Sequence, residues 1–357
     1  MKIKRFFLLI GLTSILSIGI VWLLYVSSER IMQQENPFIR RFPPGVVEYM
    51  EQIDLGYNSY YFAGYSKGML YLGNYTAPLH LYQIDSSFQH SKEIRIMPER
   101  SEFSFRSVMV RVEDSDFFLF DGSVPCIYSG SVSDWKAYLI PDTIPYFTLI
   151  EPMEKNSFVL RSNAASTGRN TIGLLELGTQ PNFNLLEEIL LIQKGGDGVF
   201  DTDGFLNFNS SLNKIIYLYR YRNGYIIADD KGNVEQRVKT IDTIQQAQIK
   251  VAQIGNVRKM AAPPVSVHNY MTSYKHLLFI DSNLKGKYDS NKAWEISSTL
   301  DVYDLKNSRY LFSFYIEKYM GIRMSQMFVT DSHIFALVDT QLVKYGVKNN
   351  LQSELRN

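Results

Sequence analysis

From residue 58 onward the chain is a succession of short runs rich in Tyr, Phe, Ile, Val and Leu, cut by Asp, Asn, Gly and Ser, without a long stretch of helical periodicity. Several runs share one pattern, a polar turn leading into an apolar strand that ends on a polar or turn residue. They are SKGMLYLGN (66–74), EDSDFFLFDG (113–122), EKNSFVLRSN (154–163), SLNKIIYLYR (211–220), SYKHLLFIDSN (273–283) and TDSHIFALVD (330–339). With Leu70, Phe118, Val159, Ile216, Leu278 and Phe335 as equivalent positions, the spacings are 48, 41, 57, 62 and 57. A second strand-like run follows each: LHLYQID (79–85), CIYSG (126–130), TIGLLEL (171–177), YIIADDKGN (225–233), TLDVYDLKN (299–307) and QLVKYGV (341–347). Degenerate modules of several short strands predict an all-β chain, a β-propeller whose radial sheets leave only short edges. The spacing favours six blades, with five or seven as alternatives, and a β-sandwich or two smaller β domains as the competing architecture. The segment Val46 to Leu55 is expected to complete the C-terminal blade. One run, Ile241 to Ile254, reads as helical.

Ahead of this domain, residues 6–26 are 21 positions without a charge. A helix of that length rises roughly 31 Å, enough for the hydrocarbon core of a bilayer. Lys2, Lys4 and Arg5 precede it, and Trp22 and Tyr25 sit near its exit. The positive-inside rule then keeps the N-terminus in the cytoplasm and places the bulk of the chain across the membrane. The competing reading is a signal peptide cleaved after Ser28. The expected organisation is an anchor or signal over 1–28, a stalk over 29–45 closed by Pro43-Pro44, and a propeller over 46–357. Docking of Phe38 to Phe42 on the domain is the alternative for the stalk.

Composition removes several functions. Lys plus Arg number 37 and Asp plus Glu 36; without the three N-terminal cations the balance is slightly negative, which argues against a nucleic-acid partner. One cysteine, Cys126, excludes an intramolecular disulfide and a CxxC pair, and is expected to pack in a strand.

At NSYYFAG (58–64), YLGNYTAPLHL (71–81), TIDT (240–243), AAPPVSV (261–267), LLFIDSNLKG (277–286), DVYDL (301–305) and YLFSFYI (310–316) the chain resembles an uncharacterised family of bacterial membrane-anchored proteins predicted to form six-bladed β-propellers. The likeness runs from about Pro37 to Gly346. It implies fold and location, a single-pass protein of the bacterial inner membrane with its bulk in the periplasm or, if cleaved, a periplasmic one, and carries no activity or site residues.

Candidate sites come from the residues alone. In GGDGVFDTDGFLNFN (195–209), Asp197, Asp201, Asp203, Asn207 and Asn209 offer hard oxygen ligands of the kind calcium takes. The spacing is not that of an EF-hand, and a pair of Asp-Gly turns accounts for the same residues. Among the histidines (His80, His90, His268, His276, His333), His276 and His333 adjoin apolar runs and are expected to be packed, whereas His80, preceded by Asn74 and Thr76, is a ligand-binding candidate. Tyr217, Tyr219 and Tyr221 alternate with Leu218, Arg220 and Arg222 before Asn223-Gly224, which reads as a tight hairpin. Arg220 and Arg222 would thus share a strand face, a binding candidate or simply a solvated surface. No nucleophile elbow, P-loop or dinucleotide fingerprint occurs. The expected function is a membrane-tethered binding or assembly module for an envelope partner, without a cofactor. The alternative is a calcium-dependent lactonase or hydrolase propeller with an axial metal held by Asn74, Asp121, Asn163, Asp281 and Asp339, which recur three or four residues after the equivalent positions.

Overall fold

A computed structural model describes residues 2–32, 37–99, 105–140, 144–154, 156–177, 182–186, 189–190, 196–254 and 257–356. Residues 33–36 of the expected stalk and Gly195 of the acidic loop lie outside them. Helix α1 (Lys2–Met32) is long and apolar enough to cross a membrane over Leu9–Ser27, with a mean hydropathy of 2.2.

The rest is mostly β-structure. After β1 (Val47–Asp54), β2 (Tyr60–Ser66), β3 (Met69–Asn74), β4 (His80–Asp85) and β5 (Ser91–Arg95) form an antiparallel meander. Then come the short β6 (Met97–Pro98) and a second meander, β7 (Val108–Glu113), β8 (Asp116–Asp121), β9 (Cys126–Ser131) and β10 (Lys136–Leu139), with β6 parallel to β10. A third comprises β11 (Leu149–Glu154), β12 (Ser157–Asn163), β13 (Asn170–Glu176) and β14 (Asn182–Leu186). A fourth comprises β15 (Gly204–Asn209), β16 (Lys214–Tyr219), β17 (Tyr225–Asp229) and β18 (Val234–Val238). The hairpin β19 (Val251–Ile254) and β20 (Val257–Met260) intervenes. A further meander holds β21 (His268–Tyr274), β22 (Leu277–Ser282), β23 (Ser297–Asp304) and β24 (Arg309–Glu317), with the short α2 (Asn291–Ile296) before β23. Last come β25 (Met324–Val329), β26 (His333–Val338), β27 (Gln341–Val347) and α3 (Asn349–Arg356).

The equivalent positions read from the sequence all fall on the second strand of a meander, on β3, β8, β12, β16, β22 and β26. All of them are buried. The runs that follow them supply the third strands. Second strands lack an apolar–polar alternation because both of their faces are covered. On β12, Phe158 and Leu160 pack with Phe118 and Phe120 of the preceding sheet, while Val159 packs with Ile215 and Tyr217 of the following one. Ile216 and Leu218 meet Leu278 and Ile280; Leu277 and Phe279 meet Ile334 and Ala336. Phe335 and Leu337 meet Leu70 and Leu72, which returns the packing to the first sheet, and Tyr71 with Leu81 joins Val110 and Phe117. Each fully buried side chain of this size contributes about 1.5–3 kcal/mol of transfer free energy. Sheets packed face to face around a closed circuit make a β-propeller.

The circuit is fastened by the N-terminal strand. β1 pairs antiparallel with β27 from Val47↔Val347 to Asp54↔Gln341, so the last sheet contains both ends of the domain. First strands line the axis: β2 abuts β7 and β25, and β15 stands between β11 and β21. Gly64 on β2 lies opposite Val112 on β7, close enough that a Cβ there would sit 2.1 Å from the Val112 carbonyl oxygen. That contact merges the first two meanders into one nine-stranded sheet.

Residues before β1 also belong to the domain. Phe38 is buried with Val267 and Leu284, and the ring of Phe42 stacks on Tyr315 at 4.5 Å. Between them Arg40 is sealed from solvent and bound to Asp301, Asp289 and Ser282. The docked alternative therefore describes Phe38 to Phe42.

Three local expectations are corrected. Ile241 to Ile254 is irregular chain ending in strand β19. Asp242 turns it, its carboxylate accepting from the Thr240 hydroxyl at 2.5 Å and the Ile244 N–H at 3.2 Å, and the β-branched Val251 and Val257 favour the hairpin. Asn223-Gly224 closes the longer loop 220–224, because the Asn223 N–H and side chain bond to Ile244 and Asp242. The Tyr/Arg alternation does not make two strand faces. Tyr217, Leu218 and Tyr219 are all buried and β16 ends there, leaving Arg220 and Arg222 beyond the strand.

Candidate binding site

The first strands carry a polar cluster toward the axis. On β7, Val108, Val110 and Val112 are buried between sheets, which leaves Met109, Arg111 and Glu113 on the opposite face. Arg111 reaches β11, its Nε 3.1 Å from one carboxylate oxygen of Glu151 and its Nη2 2.7 Å from the other. This two-pronged pair joins the inner strands of the second and third meanders. Tyr61 on β2, Tyr75 in the β3–β4 connection and Tyr270 on β21 lie in the field of the same guanidinium.

Each phenol has a fixed partner. The Tyr61 hydroxyl accepts from the Val110 N–H at 2.7 Å, and its ring lies 4.6 Å from that of Tyr75. Gln326 on β25 donates to the Tyr75 hydroxyl at 3.3 Å, while its own carbonyl oxygen accepts from the Phe62 N–H at 3.0 Å. The Tyr270 hydroxyl donates to the Met327 carbonyl at 3.3 Å. Side chains from the first, second, third, fifth and last meanders thus converge.

Burial opposes the charge on Arg111, yet Glu151 more than offsets it and the guanidinium stays protonated. Burial pushes Tyr61 up to about 12 and raises Tyr270, so these phenols are neutral donors and acceptors. Glu113 is pushed up to about 7, by desolvation first, then by Glu151 and Asp114, with Arg111 acting against them. Its side chain retains some solvent access at the end of β7, so the shift comes from partial desolvation together with the neighbouring Glu151 and Asp114 carboxylates. A paired guanidinium, the Tyr75 and Tyr270 phenols and a carboxamide, backed by the fully buried Tyr61, make a site for aromatic and hydrogen-bond recognition, the chemistry of interface anchors.

The residues singled out from the sequence lie elsewhere. In the acidic loop, Asp197 accepts from the Val199 and Phe200 N–H groups and faces a surface depression of about 440 Å³ shared with Thr167 and Arg169. Asp201 accepts from the Gly198 N–H at 2.6 Å. Asp203 sits between Arg161 at 2.6 Å and Arg220 at 3.1 Å. Asn207 accepts from Ser273, and Asn209 bonds Ser273, the Lys275 carbonyl and the Leu212 N–H. Among the described residues no group of three or more His, Cys, Asp or Glu is gathered as a metal's ligands would be.

The recurring strand-end donors serve their own turns or bind side chains of neighbouring connections. Asn74 accepts from the N–H groups of Thr76 and Ala77; Asp121 accepts from those of Ser123, Val124, Arg106 and Ser107. Asn163 bonds Asn170, Asp281 accepts from Arg323, and Asp339 accepts from Asn58. All five close second strands, one strand removed from the axis.

His80 is exposed at the start of β4 and shares its meander with Asn74, whereas Arg220 and Arg222 belong to the fourth. The four do not form one site. Arg220 lies over the Phe205 ring at 4.3 Å and Arg222 over Tyr219 at 3.9 Å. Buried His268 donates from Nδ1 to the Tyr219 carbonyl at 2.6 Å; His276 is buried, and Cys126 is buried on β9.

Arg111, Glu113, Glu151, Tyr61, Tyr75, Tyr270 and Gln326 escaped the sequence reading. Their one visible signal is an Arg and a Glu on the alternate face of the Val108–Val110–Val112 strand.

Among solved structures, the chain is similar to a member of the DUF4221 family from Bacteroides vulgatus, with 12% identity and a TM-score of 0.56, covering 85% of this chain and 97% of that one. The likeness is one of fold. The β-propeller domain of Cps50 (Swd1) from Myceliophthora thermophila aligns at 8% identity and a TM-score of 0.44, over 85% of this chain and 100% of that one. No family model matches the chain, and no curated protein does.

Proposed function

We propose that the protein is a membrane-tethered, extracytoplasmic β-propeller of six blades that binds or assembles with an envelope protein at the inner membrane. The convergence of Arg111, Glu151, Tyr75, Tyr270 and Gln326 over the buried Tyr61 carries this reading, because a rigid ring of strands holds them in one fixed arrangement. The apolar span of α1, with Lys2, Lys4 and Arg5 at its N-terminal end, supports the tether and its orientation. A tether raises the effective concentration of any partner in the same membrane.

The test is in-cell crosslinking of the full-length protein and affinity capture, with and without the paired substitutions Tyr75→Ala and Gln326→Ala. A stoichiometric envelope partner lost from the variant supports the reading. Equal recovery of that partner from a folded variant removes the axial cluster from it, and no capture above an α1-only control removes the partner.

A further inference from the structure

The docked N-terminal segment meets an unusual rim. The connection from β22 to β23 carries Lys285, Lys287 and Lys292 with Tyr288, and the connection from β24 to β25 carries Met320 and Ile322. Met320 is 83% exposed and Tyr288 71%. Among the described residues no ion pair engages Lys285, Lys287 or Lys292; the nearby acids Asp289 and Asp281 are taken by Arg40 and Arg323, which leaves the exposed Glu295 on α2 as the one carboxylate of this connection set against three lysines. The Lys287 ammonium instead lies 5.4 Å from the Tyr288 ring centre.

This rim is joined to the tether. The Lys287 N–H donates to the Phe38 carbonyl at 2.9 Å, and Ile39 is exposed beside it. Phe38 follows Met32, the last residue of α1, by six peptide steps, which reach at most roughly 20 Å when fully extended. The rim is therefore confined to the neighbourhood of whatever surface α1 enters. Lysines interspersed with tyrosine and large apolar side chains are the composition that favours a bilayer interface bearing anionic headgroups.

We propose that this rim rests on the anionic bilayer that holds α1, with Lys285, Lys287 and Lys292 on headgroups and Tyr288, Met320 and Ile322 in the interface. The inference rests on the tether reading above. Connections between second and third strands all lie at one end of the propeller, so Tyr75 and the axial cluster open toward the same side. The partner then meets them close to the membrane.

The test uses full-length protein in nanodiscs of neutral lipid or of neutral lipid with phosphatidylglycerol. Spin labels are placed singly at Tyr288→Cys, at Ile15→Cys within α1, and at Lys231→Cys in the β17–β18 turn at the opposite end. Cys126 is buried with its thiol pushed up to about 11, so the introduced cysteines label selectively. The proposal expects the Tyr288 label in anionic discs to respond severalfold more to a lipid-soluble relaxant than the Lys231 label does. Replacing the three lysines by glutamate should return that response to its neutral-disc value. A Tyr288 label that behaves like Lys231, while Ile15 reports lipid, overturns the proposal and leaves the tether standing. An Ile15 label without lipid contact removes the tether and the proposal together.

Discussion

The guanidinium of Arg40 bonds both carboxylate oxygens of Asp301, at 2.7 and 3.1 Å, across 261 residues of chain. Asp289 and Ser282 complete its shell, and Ser313 also bonds Asp301 at 2.5 Å. A buried charge pair of this kind fixes position more than it adds stability, since both ions are taken out of water. Here it fixes the chain leaving α1 onto the sheet β21–β24.

Removing the cation alone leaves two carboxylates buried without their partner. Arg40→Ala should therefore destabilise the domain by about 3–5 kcal/mol, the usual cost of breaking a buried pair. Urea unfolding of the full-length protein in detergent checks this. A midpoint equal to the wild type would show that the segment is not held as described.

Gly64 marks where the first two meanders touch. A Cβ there meets the Val112 carbonyl oxygen at 2.1 Å, and backbone cannot yield as a flexible side chain would. Gly64→Ala should cost about 1–3 kcal/mol, typical of overpacking. Gly68, with φ +81 and nothing near its missing Cβ, is a control of a different kind, strained by its backbone alone. Unchanged thermal unfolding of Gly64→Ala would contradict the close approach of β2 and β7.

Glu113 gives the fold a pH dependence of defined sign. Its native pKa of about 7 lies above the ordinary glutamate value of 4.5, so between the two the native state holds a proton that the unfolded state has lost. Stability from this group is present below about 4.5 and falls as pH rises toward 7. The melting temperature of wild type relative to Glu113→Gln should decline across that window. Arg111→Gln should move the Glu113 titration further up, and Glu151→Gln should move it down. Carboxyl NMR shifts that stay in place in both variants would show that the three groups are not neighbours.

Most oxygen donors of the acidic loop and of the strand ends are engaged by backbone N–H groups, arginines and neighbouring side chains; one buried carboxylate oxygen each of Asp197 and Asp281 has no partner among the described residues, and these two lie on different meanders. Melting of the full-length protein should accordingly be indifferent to calcium and to chelator. A rise of several degrees with millimolar calcium would support the metal reading.

The propeller was legible because its second strands are covered on both faces. FFLF, IIYLY and LLFI announce themselves as unbroken apolar runs, and Asp or Asn at their ends marks the turns. Those same turn residues also suggested metal ligands, and here the sequence is ambiguous: an Asp that caps a turn and an Asp that binds calcium have the same neighbours. Arg111 and Glu151 could not be paired by inspection, since 40 residues separate them and their proximity follows from ring closure. The Gln-rich run before Val251 misled because its apolar Ile241 and Ile244 fall at helical spacing, yet they pack on Phe38 and Val267 from irregular chain that Asp242 turns.

The central claim is that the axial cluster is where the partner binds. A photo-crosslinking amino acid placed at Tyr75, which is 52% exposed, tests it in living cells against the same probe at Lys231 in the opposite-end turn. The account predicts one discrete envelope adduct from Tyr75 and none from Lys231. The same adduct from both positions, or from Lys231 alone, would contradict it.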